Sequence, residues 1–205
     1  MVGIGTPTPA QPLDVVGNIH ASGTIASGST ISIDGVSVPR SISSSDALEF
    51  HVAGDRVLRL EPEALSGSLI APNVIGGWQG NSVASSVIGA TIAGGGAEYV
   101  FGADEPNTVG SDFGTVGGGG NNTASDEYAT VDGGQNNTAS NYATTVGGGA
   151  FNTASGYRST VGGGGNNTAS ADSATVGGGF ANHAFADYSA VPGGYANHAG
   201  GPYSC

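Results

Sequence analysis

The chain has 205 residues, of which 39 are glycine and only 10% are charged, and its net charge is −12. Four arginines are its only Lys or Arg residues, which excludes binding to nucleic acid or to an anionic membrane surface, because both need clustered cations. It contains no run of about 20 apolar residues that could insert into a bilayer, and its single cysteine excludes an internal disulfide.

Residues 1–68 predict short β-strands. The stretches VGIGTPTPAQPLDVVGNIHASGTI and STISIDGVSV have alternating apolar positions that are interrupted by Gly, Pro and Ser. The stretch LEFHVAGDRVLRLEP predicts a hairpin, because apolar residues alternate on both sides of Gly54 and Asp55. We therefore expect a β-rich N-terminal segment over residues 1–68, with a domain boundary near residues 66–69.

Residues 69–114 predict degenerate coils of a repeat. Two segments resemble the valine-bearing strand of the regular repeats that follow: VIGG at 74–77, which is followed by Asn81, and IAGG at 92–95. Asn107 comes fifteen residues after the isoleucine at 92, whereas six residues separate the matching valine and asparagine in the regular repeats. Nine residues are therefore inserted at the first corner of this coil, within residues 97–106.

Residues 115–204 contain six copies of a strict 15-residue repeat, and the first copy reads TVGGGGNNTASDEYA. One valine, one asparagine and one alanine keep their positions in every copy. A strict short period means that each copy buries its apolar side chains by stacking on its neighbours. We predict that these columns form the structural core: Val116, Val131, Val146, Val161, Val176, Val191, Asn122, Asn137, Asn152, Asn167, Asn182, Asn197, Ala124, Ala139, Ala154, Ala169, Ala184 and Ala199.

Each copy predicts one coil of an all-β parallel β-roll, or β-solenoid, over residues 69–205. Because side chains alternate between the two faces of a strand, the three invariant columns point inward from two short strands and the threonines point outward. Glycines permit the tight corner between the strands. The asparagine column predicts a hydrogen-bonded amide ladder, and the alternative is a polar row that binds a ligand. Cys205 stands where a seventh copy would begin, so we expect the chain to be a piece of a longer polypeptide.

The predicted core is too thin to stabilise a single roll. One valine and one alanine in each coil bury little apolar area, at about 25 cal/mol per Å², compared with the entropy lost in ordering fifteen residues. Association of copies side by side, with small residues that allow close approach of the backbones, would supply the missing burial. We expect a homotrimer, although the residues alone do not give the number of copies.

Two parts of the sequence resemble known fibre proteins. The opening VGIGTPTPAQPLDVVGNIHASGTI resembles the shaft-entry motif of phage tail fibres and related bacterial surface-fibre proteins. The repeats TVGGGGNNTASxxYA resemble the left-handed parallel β-roll head of YadA-like trimeric adhesins. The resemblance implies an obligate trimer, an extracellular location on a cell surface or virion fibre, and a role in adhesion to a glycan or protein receptor. The membrane anchor and coiled-coil stalk of that family have no counterpart in these residues.

The sequence predicts no catalysis and no cofactor. The glycine-rich runs lack the Lys-Ser/Thr of a phosphate-binding loop, and no Ser/His/Asp set stands in a recognisable motif. His183 and His198 share a column and are weak candidates for a metal site, and the alternative is a polar substitution at the surface. We therefore expect a structural fibre or adhesin segment that mediates attachment.

Two further sets of residues are candidates for binding. The insertion contains Tyr99, Phe101, Asp104 and Glu105, and aromatic rings beside carboxylates suit a carbohydrate; the alternative is a surface loop that the corner tolerates. The outward threonines form rows at solenoid spacing, which some solenoids use to bind ice. An ice-binding solenoid is therefore the alternative to the fibre function.

Overall fold

The computed structural model of the chain describes residues 2–4, 13–15, 47–62, 71–98 and 102–204. Residue contacts group the chain into two compact units, Met1–Ile42 and Ser43–Cys205. In the first unit, strand β1 (Val2–Ile4) pairs in parallel with β2 (Leu13–Val15). The other strands predicted before residue 47 fall outside the described residues, as does Cys205.

The second unit begins with the hairpin that the sequence predicts. Strand β3 (Leu48–Val52) pairs antiparallel with β4 (Asp55–Glu61), and both turn residues between them have positive φ. Strand β4 also pairs antiparallel with β5 (Asn73–Gly76), the first strand of the repeats. The hairpin therefore shares a sheet with the repeats, whereas the predicted boundary near residues 66–69 lies after it.

From β5 onward the chain winds as a solenoid with two short strands in each coil. The part of the chain that the structure describes contains twenty strands and no helix. The remaining strands are β6 (Ser82–Val83), β7 (Thr91–Ile92), β8 (Thr108–Val109), β9 (Thr115–Val116), β10 (Thr123–Ala124), β11 (Thr130–Val131), β12 (Thr138–Ala139), β13 (Thr145–Val146), β14 (Thr153–Ala154), β15 (Thr160–Val161), β16 (Thr168–Ala169), β17 (Thr175–Val176), β18 (His183–Ala184), β19 (Ala190–Val191) and β20 (His198–Ala199).

The strands of the second unit form two sheets, and neighbouring solenoid strands within each sheet are parallel. The ten-stranded sheet runs in the order β19-β17-β15-β13-β11-β9-β7-β5-β4-β3, and the eight-stranded sheet in the order β20-β18-β16-β14-β12-β10-β8-β6. In the regular coils the register advances by one repeat per coil, so that Val131 pairs with both Val116 and Val146. The structure thus confirms the predicted all-β parallel solenoid with 15-residue coils.

The interior contains the invariant valine, alanine and asparagine columns and one further column. The column valines and alanines are at most 4% exposed. The further column stands immediately before each valine-bearing strand, and its buried members are Ala129, Thr144, Ser159, Ala174 and Ser189. This column was not predicted, because its residue type changes from coil to coil and only the small size is kept.

The coils before residue 115 follow the same plan. Ile75 pairs with Ile92, so Ile75 rather than Val74 occupies the position of the column valines. Asn81 and Asn107 are buried, as the asparagines of the regular coils are. Since β7 ends before the insertion and β8 begins after it, the insertion lies at the first corner of its coil, as the spacing predicts.

The asparagine column forms a hydrogen-bonded ladder inside the solenoid. Asn152 Nδ2 donates to the carbonyl oxygens of Gly148 and Gly164, both at 2.9 Å. Its Oδ1 accepts from the backbone N–H of Asn167 at 3.0 Å, and its own backbone N–H donates to Asn137 Oδ1 at 3.0 Å. The side chain is fully buried and its donor and acceptor are both used, so it serves the fold. The same contacts recur at Asn122, Asn137, Asn167 and Asn182.

The invariant glycines allow the coils to approach each other at the first corner. Gly149 has a φ of +82°, and a Cβ built there would overlap the carbonyl oxygen of Gly164 in the next coil. A side chain at this position would therefore push the coils apart, away from the strand spacing of about 4.8 Å. This accounts for a glycine that the repeat never replaces.

Candidate binding surface

The structure describes only part of the predicted ligand loop. Tyr99 and Phe101 lie outside the described residues, and Asp104 is exposed. The backbone of Glu105 pairs with that of Ala97, with the Glu105 N–H donating at 2.9 Å, and this contact closes the insertion. The Glu105 carboxylate accepts from Gln135 Nε2 at 2.6 Å, so it ties the insertion to the corner of a regular coil.

The two candidate metal ligands are neighbours. The imidazole rings of His183 and His198 stack with their centroids 5.0 Å apart and an interplanar angle of 19°. Within the described residues, no group of three or more His, Cys, Asp or Glu side chains could hold a metal ion. Zinc sites in proteins use three or four protein ligands, so the histidine pair alone supplies only two of the four ligands of a structural zinc site.

Aromatic rings at the second corner form a stack, which we call the corner stack: Phe113, Tyr128, Tyr142 and Tyr157. Their successive centroids are 5.3, 5.6 and 5.3 Å apart, and the first and last contacts are nearly parallel. Such contacts are each worth about 0.5–1.5 kcal/mol beyond buried area, so the corner stack helps to hold its coils together.

Both ends of the corner stack are covered. A Cβ at Gly89 would lie 2.6 Å from Phe113 Cδ1, so the first ring packs against backbone. The Arg158 guanidinium carbon lies 4.9 Å from the centroid of Tyr157, the last ring. Partial desolvation and then the nearby Glu127 carboxylate raise the pKa of the Tyr128 phenol. Few ring faces are left free, which indicates a structural role.

A different set of rings is concentrated in the last two coils, residues 175–204. We call Phe180, His183, Phe185, Tyr195 and His198 the aromatic patch. Its members form two stacks, one of the imidazoles and one of Phe180 with Tyr195 at 5.9 Å, and the Phe185 ring meets that of His198 edge-on at 6.1 Å. Phe180, Phe185 and Tyr195 are 48%, 53% and 74% exposed.

The earlier coils carry small or polar residues at the positions of the aromatic patch. The column of Phe180 and Tyr195 holds Gly120, Gln135, Ala150 and Gly165 in the earlier coils, and the histidine column holds threonine. Phe185 replaces a serine that four successive coils share. The sequence contains this signal as a change to aromatic residues in three columns of the last two coils, but only the two histidines were predicted as site residues.

Comparisons of the chain with protein-family models, with curated proteins and with solved structures find no match. The described residues form no helix that is long and apolar enough to span a membrane.

Proposed function

We propose that the chain is a non-catalytic segment of an extracellular fibre or adhesin, which associates as a homotrimer and attaches to a receptor on a surface. The observation that carries this proposal is the uninterrupted pairing of strands from coil to coil in both sheets. Hydrogen bonds along the stacking direction and a filled amide ladder make the solenoid a stiff spacer, and a stiff spacer suits the display of a contact surface at a distance. The resemblance of the repeats to trimeric adhesin heads supports the same conclusion.

An apolar face on the hairpin supports self-association. The registers place Leu48, Leu60 and Val74 in one row across the ten-stranded sheet, and Phe50 and Leu58 in the row beside it. Val74 is continuous with the outward threonine row, so these side chains lie on the outer face of the sheet. Phe50 is 45% exposed.

Sedimentation equilibrium and a binding screen on whole cells together test this proposal. We expect a particle with three times the 19.8 kDa of one chain, and saturable binding to at least one bacterial or eukaryotic cell type. A stable monomer would contradict the trimer, and an absence of binding to every cell type would contradict the adhesive function. A measured enzymatic turnover would contradict the absence of catalysis.

One observation favours ice binding as a second candidate function. On the outer face of the eight-stranded sheet, Thr123 pairs with Thr138, and the threonines at 153 and 168 continue the row. A serine follows each of them two residues later, which makes a second, parallel row on the same face. These rows form a regular, uncharged hydroxyl array. Thermal hysteresis in an ice-growth assay, together with no binding to cells, would favour this function over adhesion.

A further inference from the structure

The aromatic patch differs from the corner stack in having free ring faces and free polar atoms. Tyr195 is the outer ring of its stack and is more exposed than any ring of the corner stack. Within the described residues, the imidazole nitrogens of His183 and His198 make no hydrogen bond, and neither does the Tyr195 hydroxyl. The patch therefore presents apolar faces and unused donors and acceptors side by side.

The rings of the aromatic patch are held in place before any ligand arrives. A Cβ at Gly165 would lie 3.1 Å from Phe180 Cδ2, and a Cβ at Gly200 would lie 2.7 Å from Phe185 Cζ. Both phenyl rings thus lie against a backbone position that has no side chain. Because packing already restricts these rings, binding costs little additional conformational entropy.

We propose that the aromatic patch binds an uncharged hexose of a cell-surface glycan. This inference rests on the adhesive function proposed above and identifies the surface and the ligand class. A hexose has an apolar C–H face that packs on an aromatic ring, and hydroxyls that exchange hydrogen bonds with imidazole and phenol groups. None of the five side chains is a carboxylate or a permanent cation, so the patch offers no partner for a charged sugar.

The size of the patch favours a saccharide over a protein partner. Two coils cover about 10 Å along the stack, and the residues from Phe180 to Phe185 cover at most about 17 Å along the coil, which gives a projected area of at most roughly 170 Å². A stable protein interface needs about 800 Å² on each partner. The patch alone is too small to dock a protein, but it has the footprint of a short saccharide.

Saturation-transfer NMR on the intact 205-residue chain tests the inference. The probes are methyl β-glucopyranoside, methyl β-galactopyranoside and methyl N-acetyl-β-glucosaminide, and we expect transfer from aromatic protons to at least one of them. The test variant combines Phe185→Ser, Tyr195→Gln and His198→Thr, each a residue type that an earlier coil holds in the same column. We expect this triple variant to bind the probe at least tenfold more weakly. Tyr203→Ser is the matched control, because this tyrosine is 77% exposed in the same coil but lies outside the patch.

The outcomes separate this inference from the function on which it rests. No transfer to any of the three probes, or equal transfer by the triple variant, overturns the patch as a hexose site. If the triple variant does not fold by circular dichroism, Tyr195→Gln alone replaces it, with the same expected direction. Cell binding that the triple variant retains in full overturns the site but leaves the adhesive function intact. Cell binding that is absent in the unmodified chain overturns the adhesive function itself.

Discussion

The regular coils at residues 115–174 and the last two coils at residues 175–204 have the same interior and different surfaces. Valine and alanine stay buried in both regions, and the strand register does not change. Outside, the three columns of the aromatic patch hold only Gly, Gln, Ala, Thr and Ser in the regular coils, whereas in the last two coils they hold the aromatic residues of the patch. The positions that are the same in every coil thus identify the fold. The positions at which only the last two coils carry aromatic residues identify the specialised surface.

The largest effect is expected from a charge in the shared interior. Val146 is fully buried between the valines of its neighbouring coils, so Val146→Asp places a carboxylate where no cation can reach it. We expect the free energy of unfolding to fall by several kcal/mol. Thr145→Asp, one residue away on the outer face, is the matched control and should be much milder. Equal losses in urea denaturation would show that the inward and outward assignments are wrong.

The amide ladder offers a comparison between the two regions. Asn152→Ala removes a buried amide and leaves the Gly148 carbonyl oxygen and the Asn167 N–H without their partners, whereas the Gly164 carbonyl oxygen still accepts from the Ala150 N–H. We expect a loss of about 3 kcal/mol, since each unsatisfied buried group costs about 1–3 kcal/mol.

Asn197 is the control for Asn152 in the last coil. Its Nδ2 donates only to Gly193 O at 2.9 Å within the described residues, and its side chain is exposed. Asn197→Ala should therefore cost less than about 1 kcal/mol in this chain. A loss at Asn197 as large as that at Asn152, measured by thermal unfolding, would contradict the ladder as the source of the stability.

The smallest effect concerns the variable interior column and has the opposite sign. The Ser159 hydroxyl is buried and has no hydrogen-bond partner within the described residues, and alanine already occupies the same column at Ala129 and Ala174. Ser159→Ala should therefore raise the free energy of unfolding by about 1 kcal/mol, because it removes an unpaired buried polar group. A lower melting temperature would show that the hydroxyl is hydrogen-bonded in solution.

Most of the fold could be predicted from the sequence, because the period constrains it physically. Alternation around Val116 fixes which residues point inward, and the fifteen-residue step fixes the register. The column of Ala129 was missed, because a buried position that requires only small size tolerates several residue types. The pairing of the hairpin with the repeats was not predicted, because antiparallel pairing of β4 with β5 leaves no periodic signal.

The binding surface was much harder to predict. Glu105 was predicted as a candidate ligand-binding carboxylate, and in the structure it accepts a hydrogen bond from Gln135, thirty residues away. That contact depends on the stacking of coils and not on the local sequence. The aromatic patch combines residues from three columns and two coils, so its members become neighbours only after the chain has wound. When each column of the repeat is considered separately, only the histidine pair stands out as a candidate site.

The division between a shared interior and a specialised end is tested most directly by cell binding of the triple variant Phe185→Ser, Tyr195→Gln and His198→Thr. The measurement is made at a temperature where circular dichroism shows that the variant is folded. The account predicts that the variant keeps the solenoid and its oligomeric state and loses most of its binding to the cells that the unmodified chain recognises. Full binding by the folded variant would contradict the assignment of contact to the last two coils.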